Sequence, residues 1–108
     1  MNAEQFDKVL DRRLALTREI LASKRKEYAG DGDRLHNFNR ASKMLGCSRE
    51  AALIGMLSKH LVSILDIVDN FATNPPSVEM IEVKIGDTVN YLALLEAMMK
   101  EDIQGDLK

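Results

Sequence analysis

Apolar side chains recur at steps of three and four residues along most of the chain, which is the spacing of one face of an α-helix. Four segments carry this pattern, at residues 3–29, 34–45, 49–72 and 78–103. None of them alternates apolar and polar residues with a period of two, so we expect no strands. Short connections favour antiparallel neighbours. The pattern predicts an all-α fold, a single four-helix bundle-like domain over residues 1–108.

Residues with capping chemistry bound the four predicted helices. Side chains that accept hydrogen bonds from the first turn precede each helix, and glycines, which tolerate positive φ, follow three of them. The N-cap candidates are Asn2, Asp33, Ser48 and Ser77, and the helix-ending glycines are Gly30, Gly46 and Gly105. Two prolines at 75 and 76 separate the third helix from the fourth. The third helix is apolar over the widest arc and is expected to lie centrally, and the fourth is expected to be buried on two sides.

Charge is spread unevenly and narrows the classes of partner. Residues 1–65 carry 12 basic and 8 acidic side chains, whereas residues 66–108 carry 3 basic and 9 acidic. The basic excess is too small for a duplex nucleic-acid binder. One cysteine, Cys47, cannot form an internal disulfide, and neither a secretion signal nor an apolar run of about 20 residues is visible. We therefore expect a cytoplasmic protein without a membrane partner.

Three groups of polar side chains could carry chemistry. The first lies at the junction of the first two helices, the second on the third helix and the third on the fourth. They comprise Lys24, Glu27, Tyr28, Asp31, Asp33, Arg34, Asn37 and Phe38; Lys59, His60, Ser63 and Asp66; and Glu79, Glu82, Lys84, Asp87, Asn90 and Tyr91. Each also has a structural interpretation: a capped helix corner, a solvated strip beside a core histidine, and a surface ion pair of Lys84 with Asp87. Phosphate-binding glycine loops, nucleophile elbows and zinc-ligand spacings are absent from the sequence.

Three segments carry a resemblance to known helical proteins. Residues 84–95, KIGDTVNYLALL, resemble the last core helix of the MazG-like, all-α nucleoside triphosphate pyrophosphohydrolases. Residues 26–38 resemble a corner of phage-encoded helical proteins associated with nucleotide modification, and residues 55–64 resemble small phage proteins. Lys84 stands where the superfamily has a metal-binding glutamate, and the superfamily's glutamate-rich motif on an earlier helix is missing.

The resemblance implies a phage-type protein that handles a nucleotide and, if active, releases diphosphate from a nucleoside triphosphate with Mg²⁺. The implied catalytic residues are Glu27 and Asp87, which would hold the metal together with Asp33. The implied ligand-binding residues are Tyr28, Arg34, Asn37, Phe38, Lys59, His60 and Asn90. Among these, Lys59 and Arg34 would contact phosphate, and Tyr28 or Phe38 would stack on the base.

Two further hypotheses remain open. The substitution at Lys84 favours a protein that binds or sequesters a nucleotide without turnover. The apolar fourth helix and six methionines favour a helical interaction module and a homo-oligomer.

Overall fold

The computed structural model describes residues 1–27 and 33–105 and contains four α-helices. They are α1 (Ala3–Glu27), α2 (His36–Leu45), α3 (Arg49–Asp69) and α4 (Val78–Gln104). No strand occurs among the described residues, so the all-α prediction is confirmed. The chain divides into two compact units, Met1–Asp33 with α1, and Arg34–Lys108 with the other three helices.

Three of the predicted N-caps are confirmed. The Asn2 side chain accepts a hydrogen bond from the Gln5 amide at 2.8 Å, and the Gln5 side chain accepts one from the Asn2 amide at 2.8 Å. This reciprocal pair is a capping box. The hydroxyls of Ser48 and Ser77 accept hydrogen bonds from the amides three residues on, at 3.1 and 3.0 Å. The first, third and fourth helices therefore begin within a residue of their predicted starts.

The start of α2 differs from the prediction. Asp33 is not its cap: the helix begins at His36, and Leu35 precedes it without a side-chain capping bond. The Leu35 carbonyl instead accepts from the Phe38 and Asn39 amides, which places the Leu35 side chain in the core. Core packing of an apolar residue has overridden the local preference for an acidic cap. At the other end Gly46 takes φ 67°, the left-handed cap that was expected.

The end of α3 also differs from the prediction, because the helix ends at Asp69 and not at residue 72. The Asn70 side-chain amide donates to the Asp66 carbonyl at 2.8 Å, and the backbone turns through residues 70–73. Asparagine competes with helical backbone bonds in this way, which explains the early stop.

The core of the second unit lies where α2 covers one end of an antiparallel α3–α4 hairpin. Its buried members come from all three helices and the turn before α2. They are Leu35, Phe38, Leu53, Leu57 and Met98, with Met56, Tyr91, Leu94 and Leu95 packed against them. The core thus uses the first half of α3 and the second half of α4.

Within the second unit α3 lies centrally as predicted, because it packs against both α2 and α4, but the prediction that α4 is buried on two sides is wrong. On α3 only Ala52, Leu53 and Leu57 are buried, and on α4 only Gly86 and Met98. Ten residues of α2 cover only one end of two helices of 21 and 27 residues, so many apolar positions elsewhere on the hairpin keep contact with solvent. Within the described chain, α3 is the one helix long and apolar enough to cross a membrane, a test that core helices also pass.

The first unit consists of α1 and the residues that flank it. Its first half carries the predicted apolar stripe, and these side chains are all largely exposed. They are Phe6, Val9, Leu10 and Leu14.

Candidate functional site

An imidazole, a carboxylate and a phenol ring meet where α3 and α4 pack together. The Nδ1 atom of His60 lies 3.5 Å from the Oδ2 atom of Asp87. The rings of His60 and Tyr91 have centroids 4.9 Å apart and are tilted by 39°. We call His60, Asp87, Asn90 and Tyr91 the seam cluster, since Asn90 neighbours Tyr91 on α4 and lies about one helical turn from Asp87.

Helical spacing and the core hold these side chains in place. His60 follows the buried Leu53 by seven residues and Leu57 by three, so it continues the core-facing stripe of α3. Asp87 and Tyr91 are four residues apart and lie one above the other on α4. The rings of Phe38, from α2, and Tyr91 are nearly perpendicular, with centroids 6.0 Å apart and an interplanar angle of 80°. This is a favourable aromatic geometry, which orients Tyr91.

The seam cluster is polar but remains within reach of solvent. The His60 side chain is 25% exposed and that of Asp87 is 37% exposed. A separation of 3.5 Å is longer than an ordinary hydrogen bond, so the carboxylate and the imidazole are neighbours without a strong hydrogen bond between them. Both groups can therefore still meet a ligand.

Asn90 carries the unsatisfied atom of this cluster. Its Oδ1 is buried and accepts no hydrogen bond from the described residues. A buried amide oxygen without a donor costs about 1–3 kcal/mol. Because less than 1 Å² of Oδ1 is accessible, a ligand N–H or O–H group could remove that cost only after the atoms that cover Oδ1 move.

The structure brings together some of the predicted site residues. His60 and Asp87 are in contact, and Asn90 lies about one helical turn from Asp87 on α4, whereas Phe38 is a core residue in contact with Tyr91. Lys59 and Asn37 are exposed, Arg34 is half-buried and Asp33 is exposed. Tyr28 and the side chain of Glu27 lie outside the described residues.

Glu27, Asp33 and Asp87 were the expected Mg²⁺ ligands, and the side chain of Glu27 lies outside the described residues. Among them, no group of three histidine, cysteine, aspartate or glutamate residues could hold a metal ion. In the seam cluster Asp87 is the one carboxylate, and Mg²⁺ between phosphates needs several oxygen ligands. The metal role predicted for Glu27 and Asp33 together with Asp87 stays a prediction.

A second polar contact, not predicted from the sequence, joins the start of α3 to the end of α4. The Arg49 guanidinium donates to Glu101 Oε1 at 2.9 Å, to Asp102 Oδ1 at 2.7 Å and to the Met98 carbonyl at 3.2 Å. Burial lowers the pKa of Arg49, but hydrogen bonds to Glu101 and Asp102 outweigh it and hold that pKa above its ordinary value. We call Arg49 with these three acceptors the Arg49 clamp; it holds the fold and is remote from His60 along α3.

One feature of the sequence could have indicated the Arg49 clamp: a positively charged residue, Arg49, at the first position of the third helix. The positive end of the helix dipole disfavours Arg49 there, so acidic partners from elsewhere in the fold were to be expected. Tyr91 was grouped with Asp87 on one face of the fourth helix, but the contact of both with His60 depends on the register between two helices.

No protein family, curated protein or solved structure matches the chain. The candidate function therefore depends on the chemistry of the seam cluster and on the resemblance of the three segments described above.

Proposed function

We propose that the protein binds a nucleotide or nucleotide derivative, with the base recognised at the seam cluster. The observation that carries this proposal is the buried, unpaired Oδ1 of Asn90, a residue that precedes Tyr91 and lies about one helical turn from Asp87 on α4, together with the contacts of His60 with Tyr91 and Asp87. Together these groups supply both requirements of base recognition, which are hydrogen bonds to the base edge and a flat apolar surface for the ring.

The polar atoms of the cluster suit the edge of a base. Amide and carboxylate oxygens accept hydrogen bonds from exocyclic amino and ring N–H groups, and asparagine can pair with a base edge through two bonds. Asp87 and Asn90 offer such oxygens about one turn apart on a single rigid helix. A base N–H at Asn90 Oδ1 would satisfy the atom that the described protein groups leave without a donor.

The aromatic part of the cluster suits stacking. Tyr91 is partly buried, and its ring is held by the buried Phe38 ring and by the His60 ring. A ring whose orientation is already fixed loses little conformational entropy when a base stacks on it. In this proposal Tyr91, and not Phe38, provides the stacking surface.

Binding without turnover is the form that the described side chains support best. One carboxylate in the seam cluster is too few to hold Mg²⁺ against phosphates. The resemblance of residues 84–95 to MazG-like proteins supports the same ligand class, and Lys84 adds a positive charge three residues before Asp87, where the superfamily has a glutamate.

Calorimetric titration of the full chain with a panel of natural and modified nucleotides tests the proposal. We expect at least one nucleotide to bind with Mg²⁺ present, with no diphosphate released. Asn90→Leu and Asp87→Asn should each weaken binding about tenfold, because each removes a hydrogen-bond acceptor or its charge. Asp69→Asn, an exposed carboxylate on the last turn of α3, is the matched control and should bind as the unaltered chain does.

Two results would change the proposal. Failure of every nucleotide to bind the folded chain would reject it. Release of diphosphate that depends on Mg²⁺ and on Glu27 would instead establish the enzyme implied by the resemblance.

A further inference from the structure

One lysine of α4, Lys84, is partly buried and has no acidic partner within the described chain. A surface ion pair of Lys84 with Asp87 was one interpretation of the sequence, since the two residues are three positions apart. In the structure the Asp87 carboxylate instead lies beside His60 of α3, with its Oδ2 atom 3.5 Å from Nδ1. Among the described residues no carboxylate forms an ion pair with the Lys84 ammonium, so its charge is left without a neutralising group there.

The other described lysines of the second unit are placed differently. A long cationic side chain normally extends its charge into water or pairs with an acid. Lys43 and Lys59 are exposed, and Lys100 is exposed and also paired with Glu96. Within the described part of this unit, Lys84 is the one lysine that is neither exposed nor paired. An anionic ligand that reaches Lys84 would supply the missing partner.

Lys84 shares a face of α4 with members of the seam cluster. At about 100° per residue, Lys84, Asp87 and Tyr91 fall within an arc of roughly 60°. The contacts of α4 with His60 are made from this same face. At about 1.5 Å per residue, Lys84 lies roughly 9 Å along the helix axis from Asn90. One extended ligand can therefore touch Asn90 at one end and Lys84 at the other.

The two ends of this face differ in their chemistry as the two ends of a nucleotide do. The seam cluster offers hydrogen-bond acceptors and an aromatic ring, which suit a base. Lys84 offers three N–H donors and a positive charge, which suit a phosphate. The sugar of a nucleotide separates the base from the phosphates, so a nucleotide can span the distance between Asn90 and Lys84.

We propose that Lys84 contacts the phosphate of the bound nucleotide, donating hydrogen bonds from its ammonium while the base lies at the seam cluster. This inference rests on the proposed function and adds the group that recognises phosphate at the same site. The resemblance implies phosphate contacts for Lys59 and Arg34 instead. Lys84 lies on the same rigid helix as Asp87 and Asn90, so its distance from the base-binding groups is fixed. The protein should therefore bind nucleotides more tightly than the corresponding nucleosides.

Calorimetric titration of the full chain with nucleosides and their mono-, di- and triphosphates tests this preference. The titrations are made in EDTA, so that no metal ion neutralises the phosphates. We expect a triphosphate to bind at least about tenfold more tightly than its nucleoside, because a hydrogen bond between charged groups contributes about that much. Lys84→Met should remove most of this difference and leave the affinity for the nucleoside unchanged.

Two further variants separate charge from other effects of substitution. Lys84→Arg keeps the positive charge and the N–H donors, so it should keep the preference for the triphosphate. Lys100→Met is the matched control on the same helix, because Lys100 already pairs with Glu96 and lies far from the seam cluster along α4. It should bind both nucleoside and triphosphate as the unaltered chain does.

Titration with inorganic tripolyphosphate, followed by amide NMR, tests the Lys84 contact without a base. We expect saturable chemical-shift changes around Lys84 in the unaltered chain and in Lys100→Met, and their loss in Lys84→Met. The melting temperature of free Lys84→Met gives a further readout. It should not fall, because the variant removes a partly buried charge that lacks a partner, whereas loss of a structural contact would lower it.

The possible failures of the two proposals are distinguishable. An unchanged preference for the triphosphate in Lys84→Met, or an equal loss of affinity for nucleoside and triphosphate, would overturn the role of Lys84 and leave nucleotide binding intact. A lowered melting temperature of Lys84→Met together with unaltered tripolyphosphate shifts would overturn it as well. Failure of every nucleoside and nucleotide to bind, with tripolyphosphate still bound at Lys84, would instead reject base recognition at the seam cluster.

Discussion

Replacing Arg49 with methionine removes the Arg49 clamp while keeping most of the side-chain volume. The guanidinium donates three hydrogen bonds of 3.2 Å or less, to Glu101, to Asp102 and to the Met98 carbonyl. These bonds join the first residue of α3 to the last two turns of α4, on the side of the molecule that α2 also covers. We expect Arg49→Met to loosen this end of the hairpin first.

The magnitude follows from the burial of the two sides of the contact. The Arg49 side chain is 15% exposed, whereas the Glu101 and Asp102 side chains are 45% and 50% exposed. A hydrogen bond to a charged partner contributes about 1.5–3 kcal/mol, but half-exposed carboxylates are screened and can return to water. The loss should therefore be about 2 kcal/mol in the free energy of unfolding, or roughly 10 °C in the melting midpoint.

Urea denaturation of the full chain measures this loss. Arg49→Lys keeps the charge but loses the forked geometry, so its loss should lie between those of the unaltered chain and Arg49→Met. Lys100→Met is the matched control, because it removes an exposed ion pair with Glu96 one turn away on α4 and should change stability little. Equal stability of Arg49→Met and the unaltered chain, or an equal loss for Lys100→Met, would refute the reasoning.

Two further predictions concern stability. Gly46→Ala should lower the free energy of unfolding by about 1 kcal/mol in urea denaturation, because Gly46 takes φ 67° although open space surrounds it. Gly55→Ala, in the middle of α3 with equal space, should instead raise the free energy of unfolding slightly. A change of the same sign for both variants would contradict this reasoning. The hydrogen bond that Asp102 accepts from Arg49 and the positive charge of that guanidinium lower the pKa of Asp102, although desolvation raises it. Because its pKa is lowered in the folded state, the Asp102 carboxylate stabilises the fold above about pH 4. This stabilisation is lost as the pH falls through the folded-state pKa. Between about pH 5 and about pH 2, the melting temperature of Asp102→Asn should therefore fall less than that of the unaltered chain. Parallel curves of melting temperature against pH for the two proteins would contradict this prediction.

Local chemistry was enough to predict the helices. Asn2, Ser48 and Ser77 cap their helices through hydrogen bonds within three residues, so their effect is visible in the sequence. Asp33 failed as a cap because Leu35 is drawn into a core built with Leu53 and Met98, and that core is a tertiary feature. A strong local signal yields where burial of an apolar side chain contributes more.

The extent of burial could not be predicted from apolar periodicity. The pattern on α3 continues from Leu53 to Val68 without a break, yet the first residue is fully buried and the last is 63% exposed. Periodicity identifies a face that avoids water but does not identify what covers it. On α3 and α4 the length of α2 sets the limit of the core within the second unit.

The sequence named His60, Asp87, Asn90 and Tyr91 as candidates, but it did not predict which of them would be in contact. His60 was grouped with its neighbours on the third helix, and Asp87 with those on the fourth. Their contact depends on the register between antiparallel helices, which the Arg49 clamp and the core fix together. The sequence of one helix does not show how that helix is aligned along its neighbour, so this register could not be predicted.

Amide and aromatic NMR spectra of the chain during titration with a nucleotide test the central claim most directly. The account predicts that the largest chemical-shift changes fall on His60, Asp87, Asn90 and Tyr91, and that Asn90→Leu reduces them. Saturable changes confined to α1 or to the Arg49 clamp, or unchanged spectra at high concentrations of every nucleotide, would contradict it.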